Sequence, residues 1–228
     1  MKLPELVIVE PGRVPYAKAL EMQLALVERV KADPEGPGYL ILLEHPRVIT
    51  IGRSGSDGNI VMPRELLERR GFEVVESSRG GDVTYHGPGQ IVGYPILSLR
   101  RYGKDIHHYM RTIEEALIQT AARWSIDTRR WPGRTGVWVG EDKLASIGVA
   151  VTRWVSYHGW ALNANVDLGD FDAINPCGFT DIRMTSMERQ LGEPVDMNEA
   201  YRALAECFCE VFEVGQARRE TPEFETTD

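Results

Sequence analysis

Apolar positions change period along this chain, and the changes mark its elements. An apolar run at residues 6–9 stops at Pro11-Gly12 and predicts a strand. From residue 15 to 31 the spacing becomes helical. Tyr16, Ala19, Gln23, Leu26, Val27 and Val30 fall on one stripe, which Asp33-Pro34 ends. Residues 39–44 and 48–51 are leucine or β-branched runs bracketed by glycine and proline, and predict strands; a short helix follows at 63–70. Further strands are expected at 73–77, 82–86 and 90–96, separated by glycine clusters. The clearest helix spans 105–123, with Ile106, Tyr109, Met110, Ile113, Leu117, Thr120, Ala121 and Trp124 in its stripe and Glu114 and Glu115 outside it. Strands at 135–139, 145–155 and 157–166 come next. The last helix, 197–214, starts after Asp196 as N-cap and turns Tyr201, Leu204, Phe208 and Val211 inward. Residues 1–214 read as one domain, and 215–228 as a polar tail expected to be frayed and disordered.

Strands in runs with helices inserted between them predict an α+β fold: a single domain around a mixed, mostly antiparallel sheet flanked by helices. With 228 residues and 43% hydrophobic content, the chain can bury a full core without a disulfide or metal staple. Its 26 basic and 34 acidic residues leave a net charge of −8, which argues against a general nucleic-acid binder. No apolar run approaches the roughly 18 residues of a membrane span, and the first fifteen residues hold no signal-peptide core. Three cysteines in this length fit a reducing compartment, so a soluble cytoplasmic protein is expected.

The cysteines divide by context. Cys207 and Cys209 lie two apart on the last helix, point in different directions, and read as small apolar packing residues. Cys177 sits in the turn Asn175-Pro176-Cys177-Gly178, where a thiol is exposed and the backbone N–H of Gly178 stays open to an approaching carbonyl. That context favours a nucleophile over a buried structural residue. A thiol of ordinary pKa near ~8.5 needs a cationic or basic neighbour to react at neutral pH. Lys143, His86 and His158 are the candidates, and spacing does not choose among them. His107 and His108 point apart on a helix, and no Cys/His spacing for zinc occurs.

The block from residue 79 to 90 is the most unusual stretch. Glycine clusters flank a short strand carrying Thr84, Tyr85 and His86, with Arg79 ahead of it. It is neither a Walker loop nor a GxGxxG turn. A plain hairpin would account for the glycines, but Arg79 and His86 supply the fixed polar contacts a binding site needs. The loop at 52–58 lacks a phosphate-binding lysine and reads as a surface loop.

Taken in order, these blocks resemble the lipoyl(octanoyl) transferases, which share a fold with biotin and lipoate protein ligases. The resemblance rests on Glu44-His45-Pro46 with Thr50-Ile51-Gly52-Arg53, on Arg79-Gly80-Gly81 with Thr84-Tyr85-His86-Gly87-Pro88-Gly89-Gln90, and on Lys143-Leu144-Ala145-Ser146-Ile147-Gly148. It continues through His158-Gly159-Trp160-Ala161-Leu162-Asn163 and Asn175-Pro176-Cys177-Gly178, and spans about residues 4–213. It implies Cys177 as an acyl-thioester nucleophile and Lys143 as the residue that lowers its pKa. Substrate contacts would come from Arg79, Gly80, Gly81, Asp82, Val83, Thr84, Tyr85 and His86, from Ser146, Ile147 and Gly148, and from Gly159, Trp160 and Ala161.

The implied reaction passes octanoate from octanoyl–acyl carrier protein to Cys177, then to a lysine of an apo lipoyl domain. The acceptors would be 2-oxoacid dehydrogenase complexes and the glycine cleavage H protein, with no cofactor, nucleic acid or membrane involved. An acidic carrier would dock on a local basic patch, either Arg100, Arg101 and Lys104 or Arg129, Arg130 and Arg134. Three rivals differ chemically. An ATP-dependent lipoate or biotin ligase needs no cysteine, and the ligases' longer glycine signature is missing. A cysteine hydrolase would use Cys177 with His86 or His158 and release free acid. A non-catalytic binding module would tolerate loss of the thiol.

Overall fold

The computed structural model describes residues 3–175 and 182–220. Its main sheet has eight strands: β1 (Glu5–Arg13), β2 (Gly38–Glu44), β6 (Gln90–Ile96), β7 (Arg129–Trp131), β8 (Arg134–Val139), β9 (Asp142–Thr152), β10 (Val155–Asn163) and β11 (Gln216–Glu220). They run in the order β11-β1-β2-β6-β10-β9-β8-β7. β1 pairs in parallel with β2 and β11, and every other pair is antiparallel. A smaller sheet joins β3 (Val48–Ile51), in its centre, to β4 (Glu73–Glu76) in parallel and to β5 (Val83–His86) antiparallel. The mixed, mostly antiparallel sheet flanked by helices agrees with the expectation from the sequence.

Alternation along the strands builds two cores. Leu6, Ile8, Leu40, Leu42, Ile91, Trp160 and Leu162 face α3 (Ile106–Ala122) and α5 (Met197–Val211). Val7, Val9, Ile41, Leu43, Val92, Tyr94 and Ala161 face α1 (Tyr16–Ala32). A third core sits between the small sheet and α2 (Arg64–Arg69), where Ile49, Ile51, Val83 and Tyr85 meet Leu67, Phe72 and Phe171. Each fully buried aliphatic or aromatic side chain contributes about 1.5–3 kcal/mol, so all three seams are firmly held. Aspartates cap α3 and α5, of which the sequence reading named only Asp196 as a cap. Asp196 accepts hydrogen bonds from the backbone N–H groups of Asn198 and Glu199, and Asp105 accepts one from His108.

Several expectations need correction. Residues 216–220, read as part of a frayed tail, form β11 in register with β1 from Glu5 to Val9. The sheet therefore extends past residue 214. Glu114, read as outside the α3 stripe, is 1% exposed and is held by Arg111 and Arg130. The 52–58 loop is bound to the glycine block rather than free on the surface. Gly52 N–H donates to the Asp82 carbonyl, Arg53 N–H to that of Arg79, and Ser54 N–H to that of Gly81. The β9–β10 hairpin turns at Arg153 and Trp154, both with positive φ, so both strands lie two or three residues earlier than the pattern placed them. A short helix α4 (Met187–Leu191), capped by Ser186, was not anticipated.

Candidate active site

A cavity opens where the small sheet leans over β9 and β10. Its floor comes from two paired strands. Gly159 on β10 pairs with Gly148 on β9, and Ala161 with Ser146, so four small residues share one face. The neighbouring strand approaches too closely for larger ones: a Cβ on Gly159 would lie 2.1 Å from the Gly93 carbonyl oxygen. The roof is the glycine block. Gly80 N–H donates to the Val149 carbonyl at 2.9 Å, and a Cβ on Gly148 would meet the Gly80 oxygen at 2.7 Å. Tyr16, Tyr94, His86, His158, Arg79 and Lys143 complete the lining.

Arg79 is pinned rather than floating. Its Nε donates to Thr50 Oγ1 at 2.9 Å, Nη2 to the Thr50 carbonyl, and Nη1 to the Gly80 carbonyl. Thr50 pairs with Thr84 across β3 and β5, so strand register sets where the guanidinium sits.

The histidines are held neutral and in fixed tautomers. His45 Nδ1 must donate to the Val14 carbonyl at 2.6 Å, which leaves Nε2 to accept from Tyr94 O–H at 2.7 Å. Burial lowers its pKa to about 4. Gln90 Nε2 donates to Asn163 Oδ1 and to the Tyr85 carbonyl, so its Oε1 accepts from His86 Nδ1 at 2.8 Å. His86 therefore keeps its lone pair on Nε2. Burial, and then nearby His45 and Arg79, hold its pKa well below the ordinary value.

His158 breaks the strand rule. Alternation would put it on the Trp160 face, but its φ of 55° turns the ring to the cavity side, with Nε2 3.0 Å from Ser78 Oγ. Its displaced backbone N–H is recovered by Gln23 Oε1 on α1 at 2.7 Å. Backbone strain of this kind, about 1–3 kcal/mol, gathers at functional sites. Burial and Arg79 lower the His158 pKa to about 3.

Lys143 stands near the start of β9 and is 5% exposed. Its side chain passes Gly136, whose φ is 129° and where a Cβ would lie 2.7 Å from Lys143 Cε. Its Nζ lies 5.2 Å from the ring centroid of Trp138. Its backbone anchors the chain beyond the expected nucleophile: Lys143 N–H donates to the Arg183 carbonyl, and Thr185 N–H to the Lys143 carbonyl. Cys177 itself lies outside the described residues. On the other flank, Asn175 N–H donates to the Asn59 carbonyl at 2.7 Å.

Thirteen of the fourteen expected substrate contacts thus converge on one cavity with Lys143. Tyr85 does not. It faces the third core, and its O–H donates to Asp170 Oδ2 at 2.7 Å, where Arg47 and Arg70 also bind. Its neighbours at 84 and 86 face the cavity instead, as strand alternation requires. Tyr16 and Tyr94 escaped the sequence reading because their helical and strand patterns mark them as core. Of the basic clusters, Arg129 donates to the Gly140 carbonyl, Arg130 pairs with Glu114 and Glu115, and Arg101 reaches the carbonyls of Glu35 and Gly36.

The fold is that of the lipoate-protein ligases. A crystal structure of lipoate-protein ligase A bound with ATP superimposes with a TM-score of 0.75 at 18% identity, covering 97% of this chain and 90% of that one. The chain belongs to the lipoyl protein ligase A/B catalytic domain family, whose model matches residues 15–209. Within it, the chain is similar to the octanoyltransferase of Geobacter metallireducens, 47% identical over 200 residues that cover 88% of this chain and 90% of the relative. It is also similar to the octanoyltransferase of Solibacter usitatus, 46% identical over 202 residues covering 89% and 90%. Among the described residues, no helix is long and apolar enough to cross a membrane.

Proposed function

We propose that this chain transfers an octanoyl group from octanoyl–acyl carrier protein to the lysine ε-amine of an apo lipoyl domain, through a thioester on Cys177. The reading rests on one observation: a buried lysine, Lys143, meets Arg79, His86 and a floor of glycine, alanine and serine in one cavity. The octanoyltransferase names of its relatives agree with it.

In the first half-reaction the Cys177 thiolate attacks the donor carbonyl. A new carbon–sulfur bond forms, the old one breaks, and the carrier thiolate leaves and takes a proton. Lys143 as ammonium favours the Cys177 thiolate and is the proton source at hand. In the second, the acceptor amine attacks the Cys177 thioester. The carbon–nitrogen bond forms, Cys177 leaves as thiolate, and the surplus amine proton returns to Lys143. Thioester exchange is nearly balanced and amide formation is downhill, so neither step demands ATP. The small floor leaves room for a linear chain, each buried methylene contributing about 0.8 kcal/mol. Lipoyl domains of 2-oxoacid dehydrogenase complexes and the glycine cleavage H protein are the acceptors, and the cytoplasm is the site of action.

The test is intact-protein mass spectrometry after incubation with octanoyl–acyl carrier protein, for wild type and Cys177→Ser. A hydroxylamine-labile octanoyl adduct on Cys177 that an apo lipoyl domain discharges is expected. Acyl transfer with no adduct would replace the covalent route by direct transfer. Free octanoate as the main product would make the protein a hydrolase.

A further inference from the structure

The side of Lys143 turned from the cavity carries an arrangement that the transfer reaction alone does not explain. Trp138, on β8, is fully buried, and its ring centroid lies 5.2 Å from Lys143 Nζ. That is within the distance at which a ring's negative face attracts an ammonium. Among the described residues its indole N–H has no hydrogen-bond partner. The N–H therefore gives no reason for a tryptophan here, whereas the ring face does.

The ring is itself braced. Trp131 on β7 packs edge-on against Trp138, with centroids 5.2 Å apart. Arg129 and Arg134 lie over Trp131 at 5.4 and 5.1 Å. This puts to structural use two arginines of a cluster that the sequence offers as a docking patch. Glu114, from α3, accepts the backbone N–H of Gly136 at 3.1 Å and so holds the bend past which Lys143 runs.

We propose that Trp138 is a positioning residue that holds Lys143 as an ammonium beside the cavity, and so sets the fraction of Cys177 present as thiolate in the resting enzyme. The inference deepens the function proposed above and rests on its pairing of Cys177 with Lys143. A buried ammonium is costly unless something replaces water around it, and a desolvated cation–π contact replaces part of that hydration. Without the ring, the neutral pair of thiol and amine gains over the charged pair.

Among the described residues, the other charged or titratable groups near Lys143 are Asp142 beside it, in contact with Arg183; Glu114, paired with Arg111 and Arg130; and, lining the same cavity, Arg79, Asp82, His86, His158, Tyr16 and Tyr94. Burial lowers the pKa of both histidines and raises that of both tyrosines, so none of these four changes charge as the pair titrates near neutrality.

The experiment measures iodoacetamide alkylation of the Cys177 peptide against pH by mass spectrometry, which separates it from Cys207 and Cys209. The wild type is compared with Trp138→Leu, Trp138→Phe and Lys143→Met, with folding checked by urea titration. A desolvated cation–π contact corresponds to a factor of about 30. Trp138→Leu should slow alkylation at pH 7 by roughly 10–30-fold and move the midpoint up by a pH unit or more. Trp138→Phe, which keeps a weaker aromatic face, should lose about threefold. Should Trp138→Leu fail to fold, the phenylalanine variant decides alone, and a profile equal to wild type overturns the proposal. A profile shifted by Lys143→Met but by neither tryptophan variant also overturns it while leaving the lysine–cysteine pairing intact. No shift even in Lys143→Met refutes the pairing itself.

Discussion

Asp170 is where the chain approaching Cys177 is fastened, and its removal has a calculable cost. It sits in the 3-10 turn Leu168–Ala173, is 1% exposed, and takes Tyr85 O–H, Arg47 Nε and Arg70 Nη2 on its two oxygens. In Asp170→Ala, the fully buried Tyr85 hydroxyl loses a charged acceptor, worth about 1.5–3 kcal/mol. Arg47 and Arg70 are each 41% exposed, so water takes over most of their solvation and each adds only about 0.5 kcal/mol. The total is about 2.5–4 kcal/mol. For a domain of this size that lowers Tm by roughly 5–16 °C. Scanning calorimetry of wild type, Asp170→Ala, Tyr85→Phe and the double variant checks both sum and source. The double variant should recover much of the Tyr85 share, because no hydroxyl is then left unpaired. A drop under about 2 °C, or strictly additive single losses, would refute the assignment of Asp170 as the clamp's centre.

Three other outcomes are expected. Gly148→Ala places a Cβ 2.7 Å from the Gly80 carbonyl oxygen, so the roof must shift; kcat/KM for the octanoyl donor should fall at least about tenfold, roughly 1.4 kcal/mol, with folding retained. Arg100→Glu with Lys104→Glu, both on exposed side chains, should raise KM for the carrier protein at low salt and not at high salt, whereas Arg130→Glu should mainly destabilise the fold through Glu114. Stability should fall in acid. His45 and His158 have folded pKa values of about 4 and about 3, below the unfolded value near ~6.5, so below pH 6.5 the unfolded chain binds more protons. Urea titrations between pH 6 and 4 should show a loss of up to about 1.4 kcal/mol per pH unit for each histidine, and His45→Gln should remove one such share.

Much of this architecture could be read from residue patterns because each buried strand contrasts with its glycine and proline borders. The stripe on α3, the Asp196 cap and the alternation that sends Thr84 and His86 one way and Tyr85 the other are local signals. What escaped was set by distant partners. Glu114 looks like a solvent-facing charge until Arg130 and the Gly136 N–H are brought to it. Gln23 looks like a polar lapse in an apolar stripe, yet it repairs a backbone N–H 135 residues away. His158 carries no local sign of positive φ, and Arg153-Trp154 lacks the Asn-Gly signature that would have placed the hairpin turn. Within the site, the glycines were legible as a block, but which carbonyl each one faces required the fold.

The parallel pairing of β11 with β1 has a consequence for handling the protein. β1 is an apolar strand, with Leu6, Val7, Ile8 and Val9 buried, and β11 supplies the polar outer border of the sheet, with every residue exposed. Arg219 reaches Glu10 across the pair at 2.7 Å, and Gly215 N–H donates to the Pro4 carbonyl. A chain shortened to residue 214 would keep its whole cavity and lose only this border. The uncovered rim of β1 would then be an adhesive edge, open to strand addition by another copy, so trimming the polar end should leave an active enzyme that self-associates more readily than the full chain.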